Sequence, residues 1–165
     1  MFLNAFFCMK NLHKYWIAVI SKDHSRHAVE GGFIQLSHGK EAPLKRLHAG
    51  DWLMIYSSKI SMERNEKCQA FTAIGQVSDE EIYVSKMSEA FSPFRKKIHF
   101  YPCAEAPISP MIDSLSFIKN KKSWGYPFRF GFFEIDKEDF LLIAKQMADE
   151  ALLNIMKQFD LLPLT

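Results

Sequence analysis

Asp51-Trp52-Leu53-Met54-Ile55-Tyr56-Ser57-Ser58 is the stretch on which the fold turns. It follows the turn residues His48-Ala49-Gly50, runs through five apolar or aromatic side chains without a break and stops at two hydroxyls. A run so short, bounded by turn residues, reads as a buried strand rather than a helix. Upstream, Tyr15-Trp16-Ile17-Ala18-Val19-Ile20 has the same character and predicts the first strand. Between the two, Asp23 is expected to cap a brief helix ending at Gly31-Gly32, where glycine accepts the left-handed conformation of a helix stop. Phe33-Ile34-Gln35-Leu36 reads as a short extended piece, His38-Gly39-Lys40 as a polar loop, and Leu44 with Leu47 as one helical turn.

Downstream, Glu63 to Lys67 is a polar surface loop, and Gln69 to Val77 alternates like a third strand. Ser78-Asp79-Glu80 is read as a turn into a fourth strand at Ile82-Tyr83-Val84, making a hairpin, and Phe94 to Tyr101 is a fifth. Ser109-Pro110 has the form of a helix start, with Met111, Ile112, Leu115 and Ile118 as its apolar side. Asp136 is expected to cap a last helix running from Lys137 into the 150s, with Phe140, Ile143, Ala144, Met147 and Ala151 on one stripe. Leu152, Ile155, Met156 and Phe159 extend that stripe, so the tail is expected to pack on the body or on a second copy of the chain as a homodimer. Five to six short strands interrupted by helices, without regular strand and helix alternation, imply an α+β fold built on a small, mostly antiparallel barrel.

A chain of 165 residues supports one domain with a sizeable core. Apolar residues at 48% and charged residues at 24% are ordinary for a globular protein, whereas an aromatic share of 14% is high. A net charge of +2 excludes binding to a long duplex by charge alone. The charge is uneven, however. Arg95, Lys96, Lys97, Lys119, Lys121, Lys122 and Arg129 face only Glu105 and Asp113 between residues 94 and 131.

Within that region Lys119 to Gly131 reads Lys-Asn-Lys-Lys-Ser-Trp-Gly-Tyr-Pro-Phe-Arg-Phe-Gly, with Trp124, Tyr126, Phe128 and Phe130 at alternate positions. Gly125, Pro127 and Gly131 argue against a long helix. An irregular, aromatic and basic segment suits stacking on a nucleobase while its phosphate is neutralised, and equally suits a rim that caps the core. Trp16 and Trp52, inside apolar strands, are expected in the core.

Catalytic signatures fail. The chain has no G-x-G-x-x-G, no Walker-type phosphate loop, no H-E-x-x-H and no G-x-S-x-G. Cys8, Cys68 and Cys103 are odd in number and far apart, which suggests neither disulfides nor zinc and fits a reducing, cytoplasmic setting. The histidines are dispersed, and no metal or cofactor is expected. No segment approaches the length of a membrane span, and no membrane association is expected. The apolar opening lacks a basic leader, and Met9 is a candidate start.

Several motifs, taken in order, resemble the EVE domain family. They are Lys14-Tyr15-Trp16-Ile17, the run Val29-Glu30-Gly31-Gly32-Phe33-Ile34-Gln35-Leu36-Ser37-His38-Gly39-Lys40, Gly50-Asp51-Trp52 to Tyr56-Ser57, Ala70-Phe71-Thr72-Ala73-Ile74-Gly75, and Ser116-Phe117-Ile118 through Trp124-Gly125-Tyr126-Pro127-Phe128-Arg129. The resemblance implies residues 13–149 as the domain, with 1–12 an extension and 150–165 a helical tail. It also implies a PUA-like fold, a bent and mostly antiparallel β-barrel flanked by helices, similar to YTH domains. Its functional implication is a non-catalytic reader of a modified base in DNA or RNA, through an aromatic-lined pocket and without a cofactor.

By that analogy the pocket lies between the exit of the first strand near Ser21, the Gly32 to Lys40 loop with His38, the end of the strand at Tyr56, and the Trp124 loop. Phe33, Trp124 and one of Tyr126 or Phe128 would stack; Gln35, Ser57 and backbone near Ser21 would read the base edge. Lys40, Lys122 and Arg129 would meet phosphate. A second implication comes from the ASCH domains, also PUA-like, some of which are small hydrolases. Lys40 with Glu41 or Glu30 is the local candidate for such chemistry on a modified nucleoside.

Overall fold

The computed structural model describes residues 13–159, 161 and 162, so the 1–12 extension and the Met9 start lie outside the described residues. In chain order the elements are β1 (Tyr15–Val19), α1 (Lys22–Gly31), β2 (Phe33–Ile34), a 3-10 turn at Ala42–Arg46, β3 (Trp52–Lys59), β4 (Lys67–Val84), β5 (Phe94–Tyr101) and β6 (Ala106–Pro107). Two further 3-10 turns follow, at Ser109–Met111 and Tyr126–Phe130, then β7 (Phe132–Ile135), α2 (Lys137–Met147) and α3 (Glu150–Gln158).

The strands form one seven-stranded sheet in the order β2-β5-β4-β3-β1-β7, with β6 pairing to β4 off that path. β1 and β3 are parallel, Val19 lying opposite Tyr56, and every other pairing is antiparallel. The barrel expected from the strand count does not close. Among the described residues β7 pairs only with β1, and β2 is a two-residue strand that pairs only with β5, so the sheet keeps two separate edges.

Alternation along the strands divides the interior in two. Trp16, Ala18, Leu53, Ile55 and Ala73 face one core, closed by Ala28 of α1 and by Leu36, Leu44 and Leu47. Ile17, Trp52, Met54, Tyr56 and Phe71 face the other, closed by Phe128, by Phe140, Ile143 and Met147 of α2, and by Leu152 and Met156 of α3. Trp16 and Trp52 are core residues, at 2% and 0% exposure. Asp51 fixes the start of this arrangement. Its carboxylate accepts from the Lys14 backbone, the Trp16 indole and the His48 backbone, at 3.0, 3.1 and 3.0 Å.

Three elements depart from the sequence reading. The hairpin over Gln69 to Val84 is instead a single strand of 18 residues. Between Val77 and Ile82 the register against β5 shifts, so residues 78–81 bulge out and the strand continues. The charged residues that look like a turn are used by the bulge: Glu80 accepts the Ala49 N–H at 2.8 Å. That bond and the nearby His48 hold its carboxyl below the usual range.

The helix expected after Ser109-Pro110 stops after one turn. Its would-be helical groups find partners elsewhere, because the Asp139 carboxylate accepts from Ser116 N, Ser116 Oγ and Phe117 N while the Lys121 ammonium donates to the carbonyls of Ile112 and Leu115. The long last helix is two helices, broken at Ala148, with the Asp149 side chain capping α3 through Leu152 N at 2.8 Å. α3 spends its apolar stripe on this chain's own core, and Phe159 meets the Trp52 ring edge-on.

Candidate functional site

The parallel pair β1 and β3 ends where α1 begins, and this is where the expected site residues start to gather. Ile20 N donates to Tyr56 O at 3.0 Å, Asp23 N to Ile60 O at 3.0 Å, and Val19 N to Gly131 O at 2.7 Å. These bonds bring the end of β1, the end of β3, the first turn of α1 and the aromatic loop to one end of the sheet. Ser21 is buried there, and its hydroxyl donates to Asp23 Oδ1 at 2.5 Å. That bond holds the Asp23 carboxyl below the ordinary aspartate value.

A cavity of about 190 Å³ runs along α1 from this end. Its helical wall is Lys22, Ser25, Arg26, Val29 and Glu30, a spacing that places all five on one face. Thr72 of β4 and Glu105 complete it. Behind Thr72 lies Ser57, fully buried. The Thr72 hydroxyl sits 2.9 Å from Ser25 Oγ and 2.9 Å from Ser57 Oγ, a chain of three hydroxyls. Three O–H groups and two contacts leave one proton and spare lone pairs for a further partner. Lys22 closes one side through an ion pair with Glu105 at 2.9 Å. Cys68 feels Lys22, Arg26 and Glu105 from nearby, yet burial pushes its thiol up, away from the reactive thiolate.

The aromatic loop belongs to the other face of the sheet. Phe128 is buried, stacked on Tyr56 at 3.9 Å, and Trp124 meets Phe128 edge-on at 6.4 Å. Burial also pushes the Tyr56 phenol far up. Tyr126 and Phe130 contact one another at 5.6 Å and stay exposed, as do Lys122 and Arg129.

The Gly32 to Lys40 loop lies at the far end of α1, whose ten residues span about 15 Å. Gly32 takes the left-handed conformation there and ends the helix. Phe33 lies beneath Arg95, the guanidinium 3.9 Å from the ring centre, and Arg95 Nε donates to Gln35 Oε1 at 3.1 Å. His38 is exposed at φ 58, and Lys40 is exposed beyond it. Among the described residues no ring contact joins Phe33 to Trp124. Glu41 pairs with Lys45 at 3.6 Å, and Glu30 stands on the α1 cavity, so Lys40 and the two carboxylates are not gathered.

The basic run of 94–131 also separates. Buried Lys96 donates to Leu47 O, Lys97 faces Glu81, Arg95 covers Phe33 and Lys121 caps carbonyls, leaving Lys119, Lys122 and Arg129 exposed on the loop.

A family model described as the EVE domain matches residues 14–146. The chain belongs to the EVE domain family. A Bacillus licheniformis relative, described as a UPF0310 protein in the gntR 5′ region, is 54% identical over 127 residues, covering 77% of this chain and 86% of its own. A Mycobacterium avium UPF0310 protein is 46% identical over 134 residues, with 81% of this chain and 97% of the relative covered. Among solved structures, the NMR structure of a Rhodopseudomonas palustris protein matches this EVE domain with a TM-score of 0.51 at 14% identity, over 81% of this chain and 92% of that one. The crystal structure of an Agrobacterium tumefaciens protein matches with a TM-score of 0.51 at 12% identity, over 80% and 91%. At such identity the structural likeness is one of fold alone. α3 lies beyond the matched residues yet packs into the core of the EVE domain.

Lys22, Arg26, Thr72 and Glu105 are cavity residues of this EVE domain that motif reading passed over. A signal existed for the five on the helix: Lys22, Ser25, Arg26, Val29 and Glu30 recur at three- and four-residue steps. Among the described residues no group of histidines, cysteines or carboxylates is placed to hold a metal, and no helix is long and apolar enough to cross a membrane.

Proposed function

We propose that this EVE domain is a non-catalytic nucleic-acid-binding module that takes one unpaired or extruded base, in modified form, into the cavity along α1. The observation that carries the reading is the hydroxyl chain Ser25-Thr72-Ser57 behind a cavity bordered by Lys22 and Arg26. Hydroxyls act as donor or acceptor as the base edge requires, and the two cations suit the phosphates on either side. Val29 supplies the apolar wall against which an added methyl gains about 0.8 kcal/mol per buried carbon. Extruding a paired base costs a few kcal/mol, so single strands and unpaired bases are the favoured ligands. The aromatic loop, joined to the same end of the sheet through Val19 and Gly131, offers Lys122 and Arg129 to the continuing strand.

The test is a binding titration of modified and plain oligonucleotides at two salt concentrations, with the unaltered protein and Arg26→Ala. Salt-dependent binding that is tighter for one modified base, and weakened in the variant, supports the reading. Equal or absent binding of all the oligonucleotides removes it.

A further inference from the structure

Another cavity, about 300 Å³, lies between the aromatic loop and β7, and no residue of α1 lines it. Its apolar lining is Phe117, Pro127, Phe130, Phe133 and Ile135, and its polar lining is Lys119, Glu134 and Asp136. β7 runs along it as an edge strand, paired on one side only, by β1. Two side chains here point to a ligand. Phe130 is 66% exposed, and its one ring-to-ring contact among the described residues is with Tyr126, itself 58% exposed. Asp136 stands at the N-cap of α2, yet its carboxylate makes no capping hydrogen bond, although accepting an N–H is what usually places aspartate there. That carboxylate instead borders the cavity, exposed and, among the described residues, without a hydrogen-bond partner.

Resting on the nucleic-acid reading above, we infer that this cleft is a second base site, and that it selects a base carrying an exocyclic amino group. The base stacks between Phe130 and the Phe117 and Phe133 rings, which lie 5.6 Å apart and tilted to one another. Its amino group donates to the Asp136 carboxylate, the contact by which acidic side chains recognise cytosine. Glu134 is partly occupied, since Lys14 holds one of its oxygens at 3.2 Å. Lys119 at the rim meets the phosphate of the same nucleotide. Adenine, cytosine and guanine each carry such an amino group and therefore fit, while thymine and uracil present a carbonyl to a carboxylate and are rejected.

Fluorescence anisotropy with labelled single-stranded hexamers of dA, dC and dT tests this on the full chain, the variants being Phe130→Ala, Asp136→Asn and Arg26→Ala. Both loop residues are exposed, so the variants fold. The dA and dC hexamers are expected to bind about fivefold tighter than dT. Phe130→Ala weakens all three by about tenfold. Asp136→Asn removes the preference, and Arg26→Ala weakens all three while leaving their ratio intact. A dA and dC preference that survives Asp136→Asn, or a Phe130→Ala protein that binds like the parent, overturns the inference while leaving the α1 cavity standing. Failure of the unaltered protein to bind any of these unmodified hexamers overturns the inference alone, since the α1 cavity is read as taking a modified base and is tested by the titration of modified oligonucleotides.

Discussion

The α1 cavity and the aromatic loop meet at one end of the sheet but are built on opposite principles. Along α1 the wall is regular helix and strand, the lining is hydroxyl and charge, and aromatic rings are absent. In the loop the backbone follows no long element, the lining is aromatic, and side chains two residues apart have opposite fates. Phe128 is 7% exposed and Phe130 is 66% exposed. The difference teaches that alternate spacing in an irregular segment is no evidence of a common role: position relative to the core decides which ring is structural and which is available.

Truncating the two rings sharpens that contrast most. Phe128→Ala removes a stacked partner of Tyr56 and should cost about 3 to 5 kcal/mol in denaturant unfolding. Phe130→Ala should stay within about 0.5 kcal/mol of the parent. Equal losses would mean that the loop is a single structural unit. Next in size is the cavity floor. Thr72→Val keeps the shape but leaves the buried Ser57 hydroxyl without its partner, at about 1 to 3 kcal/mol of stability, together with loss of base binding. A variant that is stable but does not bind would give the hydroxyls a purely functional role.

A smaller effect separates the cations. Lys122→Ala should weaken binding alike for every base and lower the salt slope by about one, without altering base preference. A change in preference would place Lys122 at a base edge. The smallest prediction concerns Asp23. Its carboxyl is held below the ordinary value, so whatever stability it contributes is present above about pH 4 and is lost as pH falls through its folded pKa. Ser21→Ala should raise that pKa towards the ordinary aspartate value, read by NMR titration of the Asp23 carboxyl. An unmoved titration would show that the Ser21 hydroxyl is not the cause.

Much of the fold was legible in local pattern. β1 and β3 are short apolar runs, β5 sets Phe94, Ile98 and Phe100 among basic residues, and α1 stops at Gly32 because a left-handed residue is needed there. What escaped was decided at a distance. Residues 78–81 look like a turn until Glu80 is seen to find Ala49 N–H, and Ser109 to Ile118 looks helical until Asp139 satisfies Ser116 and Phe117 instead. β7 was missed because four residues following an aromatic loop carry no period of their own.

Of the site, Tyr56 and Ser57 were legible as a hydroxyl-bearing strand end, Ser21 only through the family resemblance, and Trp124 and Phe128 as neighbours in one loop. That Phe33 and Gln35 consort with Arg95, sixty residues from Gln35, was not. The sequence by itself determined the family, the α+β class and the core tryptophans, because buried strands and helix stops are written in nearest-neighbour chemistry. Only the tertiary structure decided that the sheet stays open and that α1 and the aromatic loop lie on opposite faces. It also decided that Thr72 joins Ser25 to Ser57 and that most of the basic run is spent inside the chain, because these depend on which distant groups arrive within hydrogen-bonding reach.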